Sequence, residues 1–307
     1  MSIHKTSNRN QFPVQDAMGL NDYQRLPDKT GIAIDRVGIN RFRIPLNYRH
    51  ADGTIMNHDT EASIFVKLPS GKTGVNMSRL CLILQSEGDN DTVRSQMIER
   101  LLNRLQHEMR DDVNEADFEA AHVRLDFMYP VKQESLKSEH SGWQYYKSYI
   151  EADQHKNDTK LYFGIDYEYS STCPCSLSLA HQYEDDYANG RTGEGNGIAT
   201  AHAQRSVAHV KVEVELGENF YIEDLVELMR SAIKTETQVM VKRIDEQAFA
   251  ILNGSNPIFV EHAARNIYQT LNRDERILDW LVEIEHQESL HSHNAAARIS
   301  KGLAGGL

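Results

Sequence analysis

The sequence predicts an α+β fold in which an antiparallel sheet carries its helices on one face. Several segments alternate apolar and polar residues, as strands with one buried face do. Stretches with apolar residues at helical spacing lie between pairs of these segments. The pattern lacks the regular strand–helix–strand alternation of a doubly wound parallel sheet, so antiparallel pairing is favoured.

The first half of the chain yields two strands, a helix and a third strand, and the segment around 143–150 is a further candidate strand. Pro69-Ser70-Gly71 ends the second strand. Asp89-Asn90-Asp91 offers N-cap side chains for a long amphipathic helix that reaches about Arg110. The predicted strands cover 42–46, 62–68, 123–131 and 143–150.

The second half repeats this order, which predicts an internal duplication. Its strands cover 161–169, 210–216 and 278–284, with helices between the last two. Asn253-Gly254 is the predicted C-cap of one helix, and Pro257 begins the next. We therefore expect a polar arm over 1–30, one domain over 31–292 with halves of about 31–150 and 151–292, and a tail over 293–307.

Composition limits the classes of function. The 307 residues are 40% hydrophobic and 25% charged, which is typical of a globular protein. The formal net charge of −12 argues against non-specific nucleic-acid binding, which needs a basic surface. The sequence has no apolar run of about 18 residues and no signal-peptide pattern, so no membrane association is expected. Three cysteines do not make a disulfide framework, and a reducing cytoplasm is the predicted location.

The most informative stretch lies between residues 171 and 206. Cys173 and Cys175 stand at the end of a predicted strand, and His202 follows a polar, Gly-rich segment. A thiolate and an imidazole are half of a zinc-type site, and a carboxylate would complete a catalytic metal site. Two buried thiols and an ordinary histidine are the alternatives. A zinc finger is excluded because the chain lacks a second cysteine pair.

Two glutamates and a group of histidines are further candidates. Glu246 and Glu261 lie on predicted helices, where ion pairs with Lys242 and Arg265 are the simpler interpretation. Histidine is the commonest general acid or base near neutral pH, although a solvated His-rich tail is the alternative here. The histidines that follow the last predicted strand are His286, His291 and His293.

Several common catalytic motifs are absent from the sequence. Gly71-Lys72-Thr73-Gly74 lacks the spacing of a P-loop and does not open a helix after a strand. Neither a GxGxxG fingerprint nor a GxSxG elbow is present. ATPase, dinucleotide-dependent oxidoreductase and serine hydrolase activities are therefore disfavoured.

A set of motifs in consistent order resembles the type IB GTP cyclohydrolases. The resemblance covers about residues 32–295, and the shared order makes it specific although each motif alone is weak. The motifs are Ile34-Asp35-Arg36-Val37-Gly38, Met77-Ser78-Arg79, Cys173-Pro174-Cys175-Ser176, Ala201-His202-Ala203-Gln204-Arg205-Ser206, Lys242-Arg243-Ile244-Asp245-Glu246-Gln247, Phe259-Val260-Glu261 and Glu288-Ser289-Leu290-His291-Ser292-His293.

This resemblance implies the tunnelling fold, in which two ββααββ-like halves assemble into oligomeric barrels with active sites between subunits. A homotetramer is therefore expected. The implied reaction converts GTP and water to 7,8-dihydroneopterin triphosphate and formate, which begins folate-type pterin synthesis and feeds queuosine synthesis. One divalent metal per site is implied, and a Cys/His/Glu donor set admits Zn²⁺, Mn²⁺ or Fe²⁺.

The resemblance also assigns roles to individual residues. Cys173, His202 and Glu246 would bind the metal, and Cys173 would be catalytic through it. His291 would transfer protons, and Glu261 would bind the edge of guanine. The cations expected at the triphosphate are Arg79, Arg205, Lys242 and Arg243.

The sequence departs from the family pattern in two respects. The connection from Cys173 to His202 is longer than usual, and residues of about 183–199 are expected to form an inserted surface loop. Leu177, Ala203 and Asn76 stand where the family usually has Lys, Asn and His.

Two other functions are compatible with these motifs. One is an archaeal-type cyclohydrolase that opens GTP to a cyclic-phosphate pterin. The other is a non-catalytic tunnelling-fold protein that binds a purine or pterin, or has a structural role. Retention of all the implied site residues favours catalysis.

Overall fold

A computed structural model of the chain describes residues 18–19, 24, 26–109, 118–217 and 219–303. The arm predicted over 1–30 lies largely outside these residues. Within the described part, Pro27 forms an isolated bridge with Lys72. The Asp28 N–H donates to the Gly71 carbonyl at 2.9 Å, so this stretch lies against the turn after the second strand.

Eight antiparallel strands form one sheet in chain order. Alternate residues of each strand face the core, as Ala62, Ile64 and Val66 do on the second strand. The predicted antiparallel sheet is confirmed. The strands are β1 Ile34–Arg49, β2 Ile55–Leu68, β3 Ala120–Glu134, β4 Ser141–His155, β5 Asp158–Thr172, β6 Ala203–Val214, β7 Ile277–His286 and β8 Ala295–Ser300.

The described residues include six helices. Buried side chains of the first, second, fourth and last of these helices join the strands in a single core, so these helices cover one face of the sheet. The third and fifth helices contribute no residue to that core. The helices are α1 Met77–Asn90, α2 Ser95–His107, α3 Pro174–Ala188, α4 Ile222–Ala232, α5 Arg243–Ser255 and α6 Val260–Leu271.

The core closes because each packed helix buries one apolar stripe. On α2 the stripe includes Met97, Leu101 and Leu105, spaced four residues apart and all fully buried. On the sheet side the largest buried residue is Trp280 of β7. Its indole N–H donates to the Asn272 side chain at 3.2 Å, which satisfies the one polar atom of the ring.

The opposite face of the sheet is polar and carries charges across neighbouring strands. Arg124 and Lys211 both reach the Glu151 carboxylate at 3.1 Å. The Arg124 guanidinium also lies 3.7 Å from the centre of the Tyr149 ring. Tyr149 covers Gly164, where a Cβ atom would lie 2.1 Å from the tyrosine Cζ, so this position requires glycine.

The N-cap prediction at 89–91 is wrong, because this segment ends α1 instead of beginning a helix. α1 was not predicted. Asp91 is its C-cap, and the Asp91 carboxylate pairs with Arg94 at 3.0 Å and Arg100 at 2.7 Å. α2 then begins at Ser95, after an N-cap residue that makes no side-chain cap bond.

Other boundaries differ nearer the C-terminus. Asn253-Gly254 lies inside α5, whose C-cap is Asn256, and Pro257 precedes α6 instead of opening it. The segment expected to be a tail from residue 293 contains β8, which pairs with β7. β8 is rich in alanine, so it lacks the alternation that would predict a strand.

The division into halves at about residue 150 remains a prediction. β4 and β5 pair from Ser148 with Ile165 to His155 with Asp158. The hydrogen-bonded sheet is therefore continuous across the proposed boundary.

Candidate active site

Three strand ends meet on one side of the sheet, at the edge that is formed by the ends of the strands. β5 ends at Thr172, β6 begins at Ala203 and β7 ends at His286, and the antiparallel order places these residues side by side. Backbone bonds close the cluster. The Cys173 N–H donates to the His202 carbonyl at 3.1 Å, and the Ile258 N–H donates to the Thr172 carbonyl at 3.0 Å, which brings in the segment before α6.

Cys173 is the N-cap residue of α3, and Pro174 fills the first helical position. The thiol residue is half-buried, whereas Cys175 is exposed. A helix N-terminus favours a negatively charged group, so this position suits a thiolate. The alternative of two buried thiols is wrong, because neither cysteine is fully buried.

The His202 ring is held by a short relay of side chains. His202 Nδ1 lies 3.0 Å from Gln204 Oε1. The amide of Gln204 is oriented by its other end, because Nε2 donates to Ser171 Oγ at 2.7 Å, and Ser171 bonds to Ser206 at 2.8 Å. An oxygen facing Nδ1 requires the proton on that nitrogen. The lone pair for a metal is therefore on Nε2 of His202.

Glu288 approaches the same nitrogen of His202 as Gln204 does. Its Oε2 lies 3.5 Å from His202 Nδ1. That oxygen is buried and has no hydrogen-bond partner among the described residues. A carboxylate behind an imidazole is the usual support of a metal-binding histidine, so the donors at this edge fit a divalent metal.

His286 lies deeper than the other histidines of its group. Burial lowers its pKa to about 4, although the nearby Glu261 carboxylate acts in the opposite direction. Its Nε2 is hydrogen-bonded to the Tyr169 hydroxyl at 2.9 Å. His291 and His293 are exposed and stack on each other, with ring centres 4.9 Å apart.

The predicted metal ligands are only partly assembled in the single chain. Glu246 is exposed in the first turn of α5. Among the described residues, the one group of three His, Cys, Asp or Glu ligand atoms within 4.8 Å of one another is His122, Glu151 and Asp153. Cys173, His202 and Glu246 therefore do not converge within that distance, and the ligand set remains a prediction.

The predicted phosphate-binding cations fall into two places. Lys242 and Arg243 begin α5, and Arg205 on β6 lies 3.6 Å from Glu168. Arg79 follows β2, whose C-terminal end is at the edge opposite to Cys173, and its guanidinium donates to the Glu108 carbonyl at 3.1 Å. Arg79 is thus separated from the others by the length of the sheet.

The segment from about 183 to 199 is not simply a loop, which corrects the expectation. α3 runs to Ala188, so the first residues of the segment are helical. The rest folds back onto that helix, where the Tyr183 hydroxyl donates to the Glu194 carbonyl at 2.6 Å and accepts from the Gly197 N–H at 3.1 Å.

Asn76, one of the three residues that depart from the family pattern, is the N-cap of α1. Its side chain accepts from the Arg79 N–H.

The sequence did not predict a role for Gln204, Ser171, Glu288 or Tyr169. Gln204 and Glu288 lie within the motifs shared with the family. Gln204 follows His202 by two positions, and residues two apart in an extended segment share a face. That spacing was the available signal for the contact between them.

Comparison with known proteins shows the family of the chain. Residues 20–297 match the family described as type I GTP cyclohydrolase FolE2. The chain belongs to this family. It is 43% identical over 273 residues to GTP cyclohydrolase FolE2 of Dinoroseobacter shibae, a match that covers 88% of this chain and 70% of that protein. FolE2 of Cereibacter sphaeroides is 42% identical over 269 residues, with 88% and 70% covered.

Solved structures show the fold of this FolE2 family member. A uricase from Arthrobacter globiformis aligns with a TM-score of 0.50 at 9% identity, covering 91% of this chain and 96% of that one. A hyper-thermostable AgUricase mutant aligns with a TM-score of 0.51 at 7% identity, covering 88% and 92%. The expected tunnelling fold is confirmed. In the described part of the chain, no helix is both long and apolar enough to span a membrane.

Proposed function

We propose that this chain is a GTP cyclohydrolase that converts GTP and water to 7,8-dihydroneopterin triphosphate and formate, the first step of folate-type pterin synthesis. The observation that carries the proposal is the 43% identity to a GTP cyclohydrolase FolE2 over 88% of the chain. The segments that carry Cys173, His202 and Glu261 are hydrogen-bonded to one another where β5 ends, and this arrangement also supports the proposal.

The metal is proposed to be held by Cys173, His202 and Glu246. His202 offers Nε2 because Gln204 occupies Nδ1, and Cys173 offers a thiolate at the N-terminus of α3. When bound, a divalent metal supplies the Lewis acidity that lets water act as a nucleophile at neutral pH. The mixed donor set is compatible with Zn²⁺, Mn²⁺ or Fe²⁺.

Recognition of guanine is proposed to depend on Glu261. A carboxylate accepts from the N1–H and the exocyclic amine of guanine together, and adenine lacks that pair of donors. Glu261 lies in the first turn of α6, whose preceding segment is bonded to the end of β5. The purine would therefore lie with C8 directed towards Cys173 and His202.

Proton transfer is proposed for His291. One water adds at C8 and the C8–N9 bond breaks; a second water then breaks the C8–N7 bond and releases C8 as formate. Closure of the pterin ring onto carbons of the opened ribose expels one water, so one water is consumed overall. Each released nitrogen must gain a proton, and an exposed imidazole can deliver it near neutral pH. His291 follows β7 at the same edge and is exposed, as a group that must reach a substrate needs to be.

The complete site is proposed to need a second copy of the chain. Arg79 lies at the sheet edge opposite to Cys173, so it can reach the same triphosphate only from another subunit. Among the described residues, β1 and β8 form the two borders of the sheet and each pairs with one neighbouring strand. Pairing of such edges between copies would produce a closed barrel, and a homotetramer is the proposed assembly.

Product analysis tests the proposal. Apo protein is incubated with GTP in the absence of oxygen, and Zn²⁺, Mn²⁺ or Fe²⁺ is added in separate reactions. The Cys173→Ala variant is assayed in the same way, with Cys81→Ala as its control. We expect dihydroneopterin triphosphate and formate from the wild type and from Cys81→Ala, and none from Cys173→Ala. A cyclic-phosphate pterin would indicate the archaeal-type reaction, and GTP binding without turnover would indicate a binding protein.

A further inference from the structure

A pair of histidines outside the candidate active site has the spacing of two ligands of one metal ion. His50 follows β1 and His58 lies on β2, and both are nearly buried, with 5% and 8% of their surface exposed. Their Nε2 atoms face each other at 3.4 Å. The proposed reaction uses neither residue.

The proton of His50 is placed by its neighbours. His50 Nδ1 lies 3.0 Å from Glu223 Oε1, and that carboxylate also accepts from the Tyr129 hydroxyl at 2.8 Å. A carboxylate oxygen facing Nδ1 favours the His50 proton on that nitrogen, so the lone pair is on Nε2, the nitrogen that faces His58.

The spacing of the two nitrogens is at the long end for a direct hydrogen bond and also fits two ligands of one ion. An N–H donor normally lies about 2.9–3.0 Å from its acceptor, and 3.4 Å is long for such a bond. Two imidazole nitrogens at about 2.0–2.1 Å from a tetrahedral zinc are about 3.4 Å apart. The observed separation therefore matches the distance between two ligands of one tetrahedral ion.

The surroundings of His58 are aromatic. The His58 ring lies among Tyr48, Phe127 and Tyr129, with ring centres 5.1 to 6.1 Å away. With its proton on Nδ1, His58 would present a second lone pair on Nε2, the nitrogen that faces His50.

We propose that His50 and His58 form a second transition-metal site, which binds an imidazole-preferring divalent ion such as Zn²⁺ and is supported by Glu223. No third His, Cys, Asp or Glu ligand atom of the described residues lies within 4.8 Å of both nitrogens, so water completes the coordination. Because Glu223 belongs to α4, the ion links the β1–β2 hairpin to a helix of the second half.

The cluster of His122, Glu151 and Asp153 is the competing candidate. Its ligand atoms lie within 4.8 Å of one another. However, Arg124 and Lys211 each lie 3.1 Å from Glu151, and Arg36 lies 2.8 Å from Asp153. Those cations already compensate the carboxylates and repel an incoming metal.

Zinc binding measured on the full chain tests the proposal. The double variant Cys173→Ser/His202→Asn removes the proposed catalytic ligands, so any zinc that remains belongs to another site. We expect one zinc per chain by calorimetry and elemental analysis in this background. Adding His58→Gln should abolish it, and adding Glu223→Gln should weaken it by about 10–100-fold because the support of His50 is lost.

The control variant is His140→Gln, which changes an exposed histidine in the β3–β4 turn and should leave zinc binding unchanged. If His58→Gln does not fold, the affinity of the Glu223→Gln variant decides alone. Absence of zinc binding in the background variant, zinc binding that survives both changes, or loss of zinc on His122→Gln would each overturn the proposal.

Discussion

The Gln204 side-chain oxygen lies 3.0 Å from Nδ1 of His202, and this contact favours the tautomer that carries its proton on Nδ1. Gln204 is 9% exposed and is oriented by Ser171. The lone pair of the neutral His202 ring is therefore on Nε2.

The first prediction concerns this contact. Gln204→Met keeps the side-chain volume but removes the acceptor, so His202 can adopt either tautomer. We expect zinc affinity at the catalytic site to fall by about 10–100-fold while the fold is retained. Equilibrium dialysis against a zinc indicator measures this, with Gln144→Met on β4 as the control. Equal zinc affinity of both variants would show that Gln204 does not position His202.

The second prediction concerns substrate selection. Inosine triphosphate lacks the exocyclic amine, so the wild type should turn it over less efficiently than GTP. Glu261→Gln should lower kcat/KM for GTP by about 100-fold or more, because a buried donor of guanine loses its charged acceptor. The preference for GTP over inosine triphosphate should shrink in the same variant. An unchanged preference would exclude Glu261 from guanine binding, and the exposed Glu275→Gln serves as control.

The third prediction concerns sharing of the site between subunits. Arg79→Ala and His291→Ala chains should each be inactive as pure oligomers. Co-refolded mixtures should regain about a quarter of wild-type activity if Arg79 and His291 of one site come from different chains, since random assembly then gives some intact sites. Activity in mixtures of separately folded chains is the reference. No recovery after co-refolding would place both residues in one chain's site.

The fourth prediction concerns pH and His286. Its pKa in the folded chain is about 4, below the ordinary 6.5. Between these values the unfolded chain binds the proton and the folded chain does not, so stability falls as pH falls through this window, by at most about 1.4 kcal/mol per pH unit. His286→Gln should flatten this slope in urea unfolding between pH 6.5 and pH 5. The exposed His140→Gln should leave it unchanged, and an equal slope in both variants would contradict the account.

The fifth prediction concerns the polar sheet face. A Cβ atom at Gly164 would lie 2.1 Å from Tyr149 Cζ, so Gly164→Ala must displace the ring from beneath Arg124. We expect a loss of about 1–3 kcal/mol in the free energy of unfolding. Gly193→Ala is the matched control, because a Cβ there meets nothing within 4 Å. Similar unfolding midpoints in urea for the two variants would show that Tyr149 moves freely.

The sequence predicted the strands well because each buries one face, and period-two alternation follows directly from that burial. The sequence-based predictions were wrong where a residue interacts mainly with another element of the fold. Asp91 has the chemistry of an N-cap, but it pairs with Arg94 and Arg100 beyond the end of α1. β8 has no alternation of its own and is a strand because β7 offers its edge.

Residue identity and family resemblance predicted the residues of the candidate site. They did not predict the side chains that orient those residues. The motifs indicated Cys173 and His202, whereas the contact from Ser171 through Gln204 depends on the register between β5 and β6. No local pattern encodes that register. The separation of Arg79 from Cys173 likewise follows only from the strand order.

The most direct test of the central claim follows the carbon at C8. GTP labelled with ¹³C at C8 is incubated with metal-loaded protein, and the label is followed by NMR. The account predicts that one labelled formate appears for each GTP consumed and that Cys173→Ala releases none. Label that stays in the nucleotide or in the pterin would contradict the assignment of this chain as a GTP cyclohydrolase.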